Sequence, residues 1–248
     1  MIMEKSRGIM NDNELLALMY DFYNECTLRG QNDDINYYIK QMKFYKAKNV
    51  LIIGAGTGRV AIPLSKYAQV TALDMDLERL NLLKKKTSNI NVVCCDFINY
   101  NPIKKDFDLI IVPYSTLQFS GDKNKFIEMI KQIYKICNEK TIVLFDLSES
   151  FNKKPEIKEQ LLFTKEHSEL KEQVEVYYTS IRKSNYIEFI IKYHLVNSQK
   201  IVIEKEKYLY YDEYFVLNTL NNLLSILKID DGYGAPGFEH KHVFHCKK

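Results

Sequence analysis

The spacing of apolar residues divides the chain into two halves with different periods. NELLALMYDFYNE carries apolar residues at 15, 16, 18, 19, 22 and 23, which predicts an amphipathic helix. DDINYYIKQMKFYK repeats the pattern at 35, 38, 39, 42 and 45 and predicts a second, with Asp33 or Asp34 as N-cap. Short apolar runs then alternate with helical segments. NVLIIG, QVTALD, INVVCCD, FDLIIVPYS and TIVLFDL read as strands. GRVAIPLSKYA, DLERLNLLKKK and DKNKFIEMIKQIYKICN read as helices, with Pro63 in the first turns of its helix, where its missing N–H costs least. Near-continuous apolar strands are expected where helices cover both faces of a sheet. The alternation predicts an α/β fold with a doubly wound, mostly parallel sheet.

Beyond residue 150 the period falls to two. QVEVYYTSIRKS, NYIEFIIKYHLVNS and KIVIEKEKYLYY, joined by short links, predict a three-stranded antiparallel meander inserted after strand five. DEYFVLNTLNNLLSIL returns to the helical period, and LKIDDGYG and HKHVFHCKK predict a closing strand pair, which brings the main sheet to seven strands. We therefore divide a single domain into N-terminal cap helices (1–48), an α/β core (49–150), a meander (151–211) covering the cleft, and a closing helix with its strand pair (212–248).

Composition narrows the function classes. The 248 residues carry 35 basic and 32 acidic side chains, a net charge of +3, which argues against a dedicated nucleic-acid binder. Five cysteines without a CxxC pair suggest neither a disulfide framework nor a zinc knuckle. Cys94 and Cys95 read as small residues ending a buried strand. His240, His242 and His245 find no completing ligands and read as surface residues, so no metal is expected. No apolar run approaches the ~20 residues of a bilayer span, and MIMEKSRGIMNDNE lacks a leader's apolar core. A cytoplasmic protein without a membrane partner is the expectation; the sequence leaves the oligomeric state open.

Ligands of open α/β sheets bind beyond the carboxyl ends of the strands. The first strand ends in Gly54-Ala55-Gly56-Thr57-Gly58, the second in Asp74 followed by Met75, the third in Asp96-Phe97, the fourth in Pro113-Tyr114-Ser115 and the fifth in Asp146. An acid about twenty residues after a glycine loop suits ribose hydroxyls. A dinucleotide loop would have its third glycine at 59, where this chain has Arg59, which disfavours a nicotinamide dehydrogenase.

The GxGxG loop, Asp74 and Asp96 together resemble the class I S-adenosylmethionine-dependent methyltransferases, over roughly residues 15–148. The resemblance implies a Rossmann-like methyltransferase fold and S-adenosylmethionine as cofactor, with S-adenosylhomocysteine as product. It implies that Gly54, Ala55, Gly56 and Gly58 lie against the cofactor's methionine part. Asp74, beside Met75, would take the ribose, Asp96 the adenine amino group and Phe97 the ring, with Pro113 and Tyr23 as further contacts. Members usually carry an acid two residues before the first glycine; here that position is Ile52, and the loop backbone, Tyr20 or Tyr23 are candidates for its work.

The run after strand four, Val112-Pro113-Tyr114-Ser115, lacks the motif of enzymes that methylate DNA-base amino groups or glutamine. FDLIIVPYSTLQF instead resembles small-molecule N-methyltransferases that act on glycine, amino sugars and peptide amines. The acceptor expected is the amine of a small molecule or peptide. Asp146, Tyr20 and Ser115 are the candidates to meet it, Asp146 as an anchor for a cation, with Thr116 and Gln118 as further pocket candidates. Two alternatives stay open: an O-methyltransferase assisted by His194 or a tyrosine, and a degenerate domain that binds the cofactor without catalysis.

Overall fold

The structure is a computed structural model, and it describes residues 10–28 and 32–248. Residues 1–9 of the N-terminal stretch MIMEKSRGIMNDNE lie outside those residues. Helix α1 (Asp12–Thr27) starts in a reciprocal cap, in which Asn11 Oδ1 accepts from the Glu14 amide and the Glu14 carboxylate accepts from the Asn11 amide, each at 2.9 Å. Helix α2 (Asp33–Phe44) is preceded by Asn32, which makes no side-chain cap, so neither Asp33 nor Asp34 fills that position. The Asp34 carboxylate instead accepts from its neighbour's amide, on Ile35, and from the Arg59 guanidinium.

The α/β alternation follows as β1 (Asn49–Ile53), α3 (Ala61–Ser65), β2 (Gln69–Asp74), α4 (Leu77–Lys86), β3 (Asn91–Cys94), β4 (Leu109–Val112), α5 (Lys123–Ile136) and β5 (Ile142–Ser148). The short α6 (Ser150–Lys153) leads into β6 (Ile157–His167), β7 (Glu172–Arg182), β8 (Tyr186–Leu195) and β9 (Lys200–Leu209). Helix α7 (Glu213–Asn221), β10 (Ser225–Asp231) and β11 (Lys241–Lys247) close the chain. The main sheet has seven strands in the order β10-β11-β5-β4-β1-β2-β3, and β11 runs antiparallel to both its neighbours. The strand order reverses at β1, between β4 and β2, which places the topological switch point beside the glycine loop.

Alternation within β1 shows why the apolar runs are continuous. Leu51 and Ile53 pack into one core layer with Phe126, Ile130 and Phe145; Val50 and Ile52 pack into the opposite layer with Tyr38, Leu64 and Leu80. Burying a side chain of this size contributes about 1.5–3 kcal/mol, and every strand of the sheet centre does so on both faces.

The insert departs from the expected three strands: it is a four-stranded antiparallel sheet, β6-β7-β8-β9. The unread strand, β6, is an edge strand with most side chains exposed and two register shifts against β7, so IKEQLLFTKEH has no clean alternation. Helix α1 packs Leu15, Leu18, Met19 and Phe22 against Val174, Val176 and Tyr193 of this sheet, which clamps the insert over the strand ends. The helix expected over 212–227 stops at Asn221, because Ser225 and Ile226 pair with Lys247 and Cys246. Two burial expectations also change. Cys94 is exposed, since β3 is the sheet's edge. His245 is fully buried, wedged between Tyr37 and Tyr45, whose hydroxyls lie 2.5 and 2.8 Å from its ring nitrogens. No helix among the described residues is long and apolar enough to cross a membrane, and among them no group of three His, Cys, Asp or Glu could hold a metal.

Candidate active site

One cavity of about 930 Å³ lies over the carboxyl ends of β1, β2 and β3, roofed by α1 and β9. Of the residues singled out in the sequence, Tyr20, Gly54, Gly56, Asp74, Met75, Asp96 and Phe97 line it. The loop that forms its floor is held from below and from the side. The Gly56 amide donates to Asp74 Oδ2 at 2.7 Å, while Asp74 Oδ1 accepts from the Asp76 amide at 3.0 Å. Thr57 Oγ1 donates to Asp21 of α1, and Lys86 Nζ bridges Asp21 Oδ2 at 2.6 Å and the Thr57 carbonyl at 3.2 Å. Asp96 caps the turn that follows it, accepting from the Ile98 amide at 3.1 Å.

The glycines divide their labour. Gly56 has φ +53, and a Cβ there would stand 3.5 Å from the Tyr20 ring, so its missing side chain leaves room under the roof. Gly58 has φ +94 and faces away: a Cβ would meet Leu83 Cγ at 2.9 Å and Ile62 at 3.0 Å. Its requirement is close packing of the loop on α4, and neither Gly58 nor Ala55 lines the cavity.

Six further candidates do not line it. Asp146, fully buried, does not face the cleft. Its Oδ1 accepts from the Tyr38 hydroxyl at 2.9 Å, and its Oδ2 from the Ser115 amide at 2.8 Å and from Lys241 Nζ at 3.2 Å. Ser115 is buried in the same network, its Oγ accepting from Lys241 Nζ at 2.6 Å. Pro113 is buried behind the turn, and Tyr23 turns to Phe163, with ring centroids 6.4 Å apart. Gln118 stitches Ser148 to Leu209 rather than lining the pocket, whereas Thr116 is on the wall. His194 sits on β8 beside Glu175, 2.9 Å away, and does not line the cavity.

This network supports a strained elbow. Tyr114 and Ser115 both adopt φ +58, a left-handed conformation that costs a non-glycine residue about 1–3 kcal/mol. Asp146 stabilises it by accepting the Ser115 amide, and the result is that Tyr114 reaches the cavity wall.

The roof supplies residues that sequence reasoning missed. Glu204 and Glu206 of β9 and Arg79 of α4 all line the cavity. Arg79 pairs with Glu204 and lies 4.0 Å over the Tyr20 ring. Glu206 accepts from the Tyr208 hydroxyl at 2.8 Å. Burial, and then the neighbouring Glu204, raise the Glu206 carboxyl to about 7. Burial likewise raises the Tyr20 phenol above its usual range, with Arg79 opposing. The sequence alone did not mark them: Glu204 and Glu206 share the inward phase of β9 with the buried Val202 and Tyr208, while the apolar Ile201 and Ile203 of the other phase are exposed. A carboxylate in the buried phase of a strand calls for a polar space or a partner beneath it.

Residues 50–153 match the family model described as a methyltransferase domain. YqeM of Bacillus subtilis (strain 168), a methyltransferase by name alone, is 27% identical over 133 residues, 52% of this chain and 53% of its own. A protein named in the same way from Geobacillus sp. (strain WCH70) is 24% identical over 163 residues, 63% of this chain and 65% of its own. The chain thus spans about half to two thirds of the length of these curated relatives. Among solved structures, an S-adenosylmethionine-dependent methyltransferase from Clostridium acetobutylicum ATCC 824 is similar at a TM-score of 0.77 and 18% identity, over 92% of this chain and 97% of that one. The sugar N-methyltransferase KedS8 from Streptoalloteichus sp ATCC 53650 reaches 0.77 at 12% identity over the full length of both chains. At these identities the likeness is one of fold.

Proposed function

With residues 50–153 matching the methyltransferase-domain model, we propose that the chain moves a methyl group from S-adenosylmethionine to an amine nitrogen of a small molecule or peptide. The observation that carries the reading is the convergence of Gly56, Asp74, Asp96 and Phe97 on one cavity whose roof is acidic and aromatic.

The donor set suits the cofactor. Both Asp74 and Asp96 are acceptors with lone pairs beyond those given to backbone amides, matching a ribose diol and an exocyclic amine, which donate. Leu73, Phe97 and Ile98 give a purine apolar faces, and the volume lies in the range of small-ligand sites. Bound there, the cofactor would supply an electrophilic methyl group on a positive sulfur. The chain's own work is to hold the acceptor in line and to keep water out, and such positioning can be worth at most about 7–11 kcal/mol. Tyr20 and Tyr114 present ring faces suited to a sulfonium or an ammonium. An acidic roof favours a cationic amine over a neutral alcohol, and sugar N-methyltransferases are among the proteins of similar fold.

Calorimetric titration of the protein with S-adenosylmethionine, with NAD as control, tests the cofactor. Saturable heat with the sulfonium ligand and none with NAD is expected; no heat with the former would sink the reading. A screen of amines with isotope-labelled donor then separates N-transfer from O-transfer.

A further inference from the structure

We propose that Glu206 is the acceptor-facing carboxylate of this site: it holds the incoming amine as its ammonium and removes its proton, which makes the enzyme selective for basic, cationic amines. The inference rests on the reading of the cavity as a methyl-transfer site.

The argument is one of supply and position. A carboxylate at the end of β5, Asp146, is the one strand order would offer to the acceptor, but it is consumed by Tyr38, Ser115 and Lys241. Glu204 is committed to Arg79, with Tyr193 at 3.4 Å. Glu78 and Glu188 also line the cavity wall, but Glu206, with a hydrogen bond from Tyr208, is the one whose charge bears on Tyr20. It shares that wall with Tyr20, and Tyr20 stands over Gly56 of the cofactor loop. An acceptor between the loop and the roof therefore meets Glu206 from above.

The proton balance is simple. The acceptor arrives as R–NH3⁺; one N–H bond breaks, the proton goes to the Glu206 carboxylate, and the bonding pair stays on nitrogen as a lone pair. That pair forms the new N–C bond, while the donor's C–S pair returns to sulfur. An ordinary carboxylate is a poor base for an alkylammonium, whose proton is held with a pKa of about 10. The groups around Glu206 bear on this; Glu188 of β8 and Lys205 and Lys207 of β9 line the same cavity. Glu204 raises its affinity for a proton and Arg79 lowers it, while Tyr208 donates to it. Tyr20 and Tyr23 from α1, Tyr114 beyond β4 and Tyr193 from β8 surround it as neutral phenols. The outcome, a proton affinity near neutrality, narrows the gap to the amine and leaves the carboxylate ionised at mildly alkaline pH.

The test compares the wild type with Glu206→Gln, which keeps an oxygen for Tyr208. S-adenosylmethionine affinity is measured first, by calorimetry, as the check on fold and cofactor site. The side-chain carboxyl carbons of glutamate-labelled protein are then followed by NMR against pH with S-adenosylhomocysteine present, the Glu206 signal being the one the variant loses. Transfer to 2-aminoethanol, benzylamine, glucosamine and a short peptide with a free N-terminus completes the comparison. Expected are cofactor affinities within threefold, a Glu206 signal that titrates near pH 7 and shifts when an accepted amine is added, and a loss of at least 100-fold in transfer by the variant, in the range of general-base effects of about 10²–10⁴. A Glu206 signal that ignores the amine, a variant within threefold of the wild type, or a wild type that binds cofactor but methylates none of these amines overturns the proposal and leaves the cofactor reading standing. Failure of the wild type to bind S-adenosylmethionine overturns both.

Discussion

Replacing Asp146 by asparagine tests whether its carboxylate is structural. The group is fully buried and lies 3.2 Å from Lys241 Nζ, whose side chain is 12% exposed. Asparagine removes the charge that Lys241 needs, and its amide cannot accept on both sides as the carboxylate does from Tyr38 and from the Ser115 amide. Removing one partner of a buried pair costs about 3–5 kcal/mol, because an uncompensated charge remains. For a chain of this size each kcal/mol lowers Tm by about 2–4 °C, so Asp146→Asn should melt roughly 6–20 °C lower. The discriminating assay is a double-mutant cycle with Lys241→Met, read by urea unfolding. Removing both charges should cost less than the two single changes together, by about 1–3 kcal/mol. Strict additivity, or an Asp146→Asn variant within 1 kcal/mol of the wild type, would refute the pairing. Folded Asp146→Asn at low temperature should still bind an accepted amine, since the side chain does not reach the cavity; loss of amine binding with an unchanged fold would restore Asp146 as an anchor.

Asp74→Ala should weaken S-adenosylmethionine binding by about 1–3 kcal/mol, roughly 5–150-fold in calorimetry, through both the ribose contact and the freed Gly56 amide; an unchanged Kd would contradict both roles. Gly58→Ala should lower stability by about 2–4 kcal/mol, from its positive φ and the contacts with Leu83 and Ile62, and a variant as stable as the wild type would show that the loop packs otherwise. His245, pushed down from 6.5 to about 4 chiefly by burial, binds its proton more weakly folded than unfolded. Its contribution is therefore present above pH 6.5 and lost as pH falls toward 4, about 3 kcal/mol at ~1.36 per pH unit; a His245→Gln variant with the same acid slope as the wild type would refute this. Ile52→Glu, which places there the acid usual in the methyltransferases the chain resembles, should destabilise by about 3 kcal/mol or more without tightening cofactor binding, because the side chain enters an apolar layer; tighter binding would overturn that placement.

The half of the site proposed for the cofactor was legible because its determinants are local. Gly54, Gly56 and Asp74 sit at strand ends that their own apolar runs define, and the walls they form follow from strand order alone. The half proposed for the acceptor was not. Lys241 is 95 residues from Asp146 and Tyr38 is 108 away, and no local pattern announces that these three meet. Asp146 therefore read as a free carboxylate at a strand end, when closure of β11 against β5 brings a lysine to neutralise it. β6 escaped notice for a related reason: an edge strand solvated on most of its length is under little pressure to alternate.

Ile52 shows how the two halves connect. Its side chain points into the layer formed by α2, α3 and α4, with Tyr38, Leu64 and Leu80 in the same cluster, so an acid there would have no route to the loop. The orienting work is done from elsewhere. Asp74 takes the Gly56 amide from β2, and Asp21 takes Thr57 from α1 with Lys86 closing the bridge. One of these anchors comes from the sheet and the other from the cap helix that also carries Tyr20 over Gly56. The loop is thereby tied to the roof: a displacement of α1 that released Thr57 would also lift Tyr20 off the floor. Loss of an acid inside the sheet is compatible with a shaped site because the loop's geometry is set jointly by the elements that enclose it.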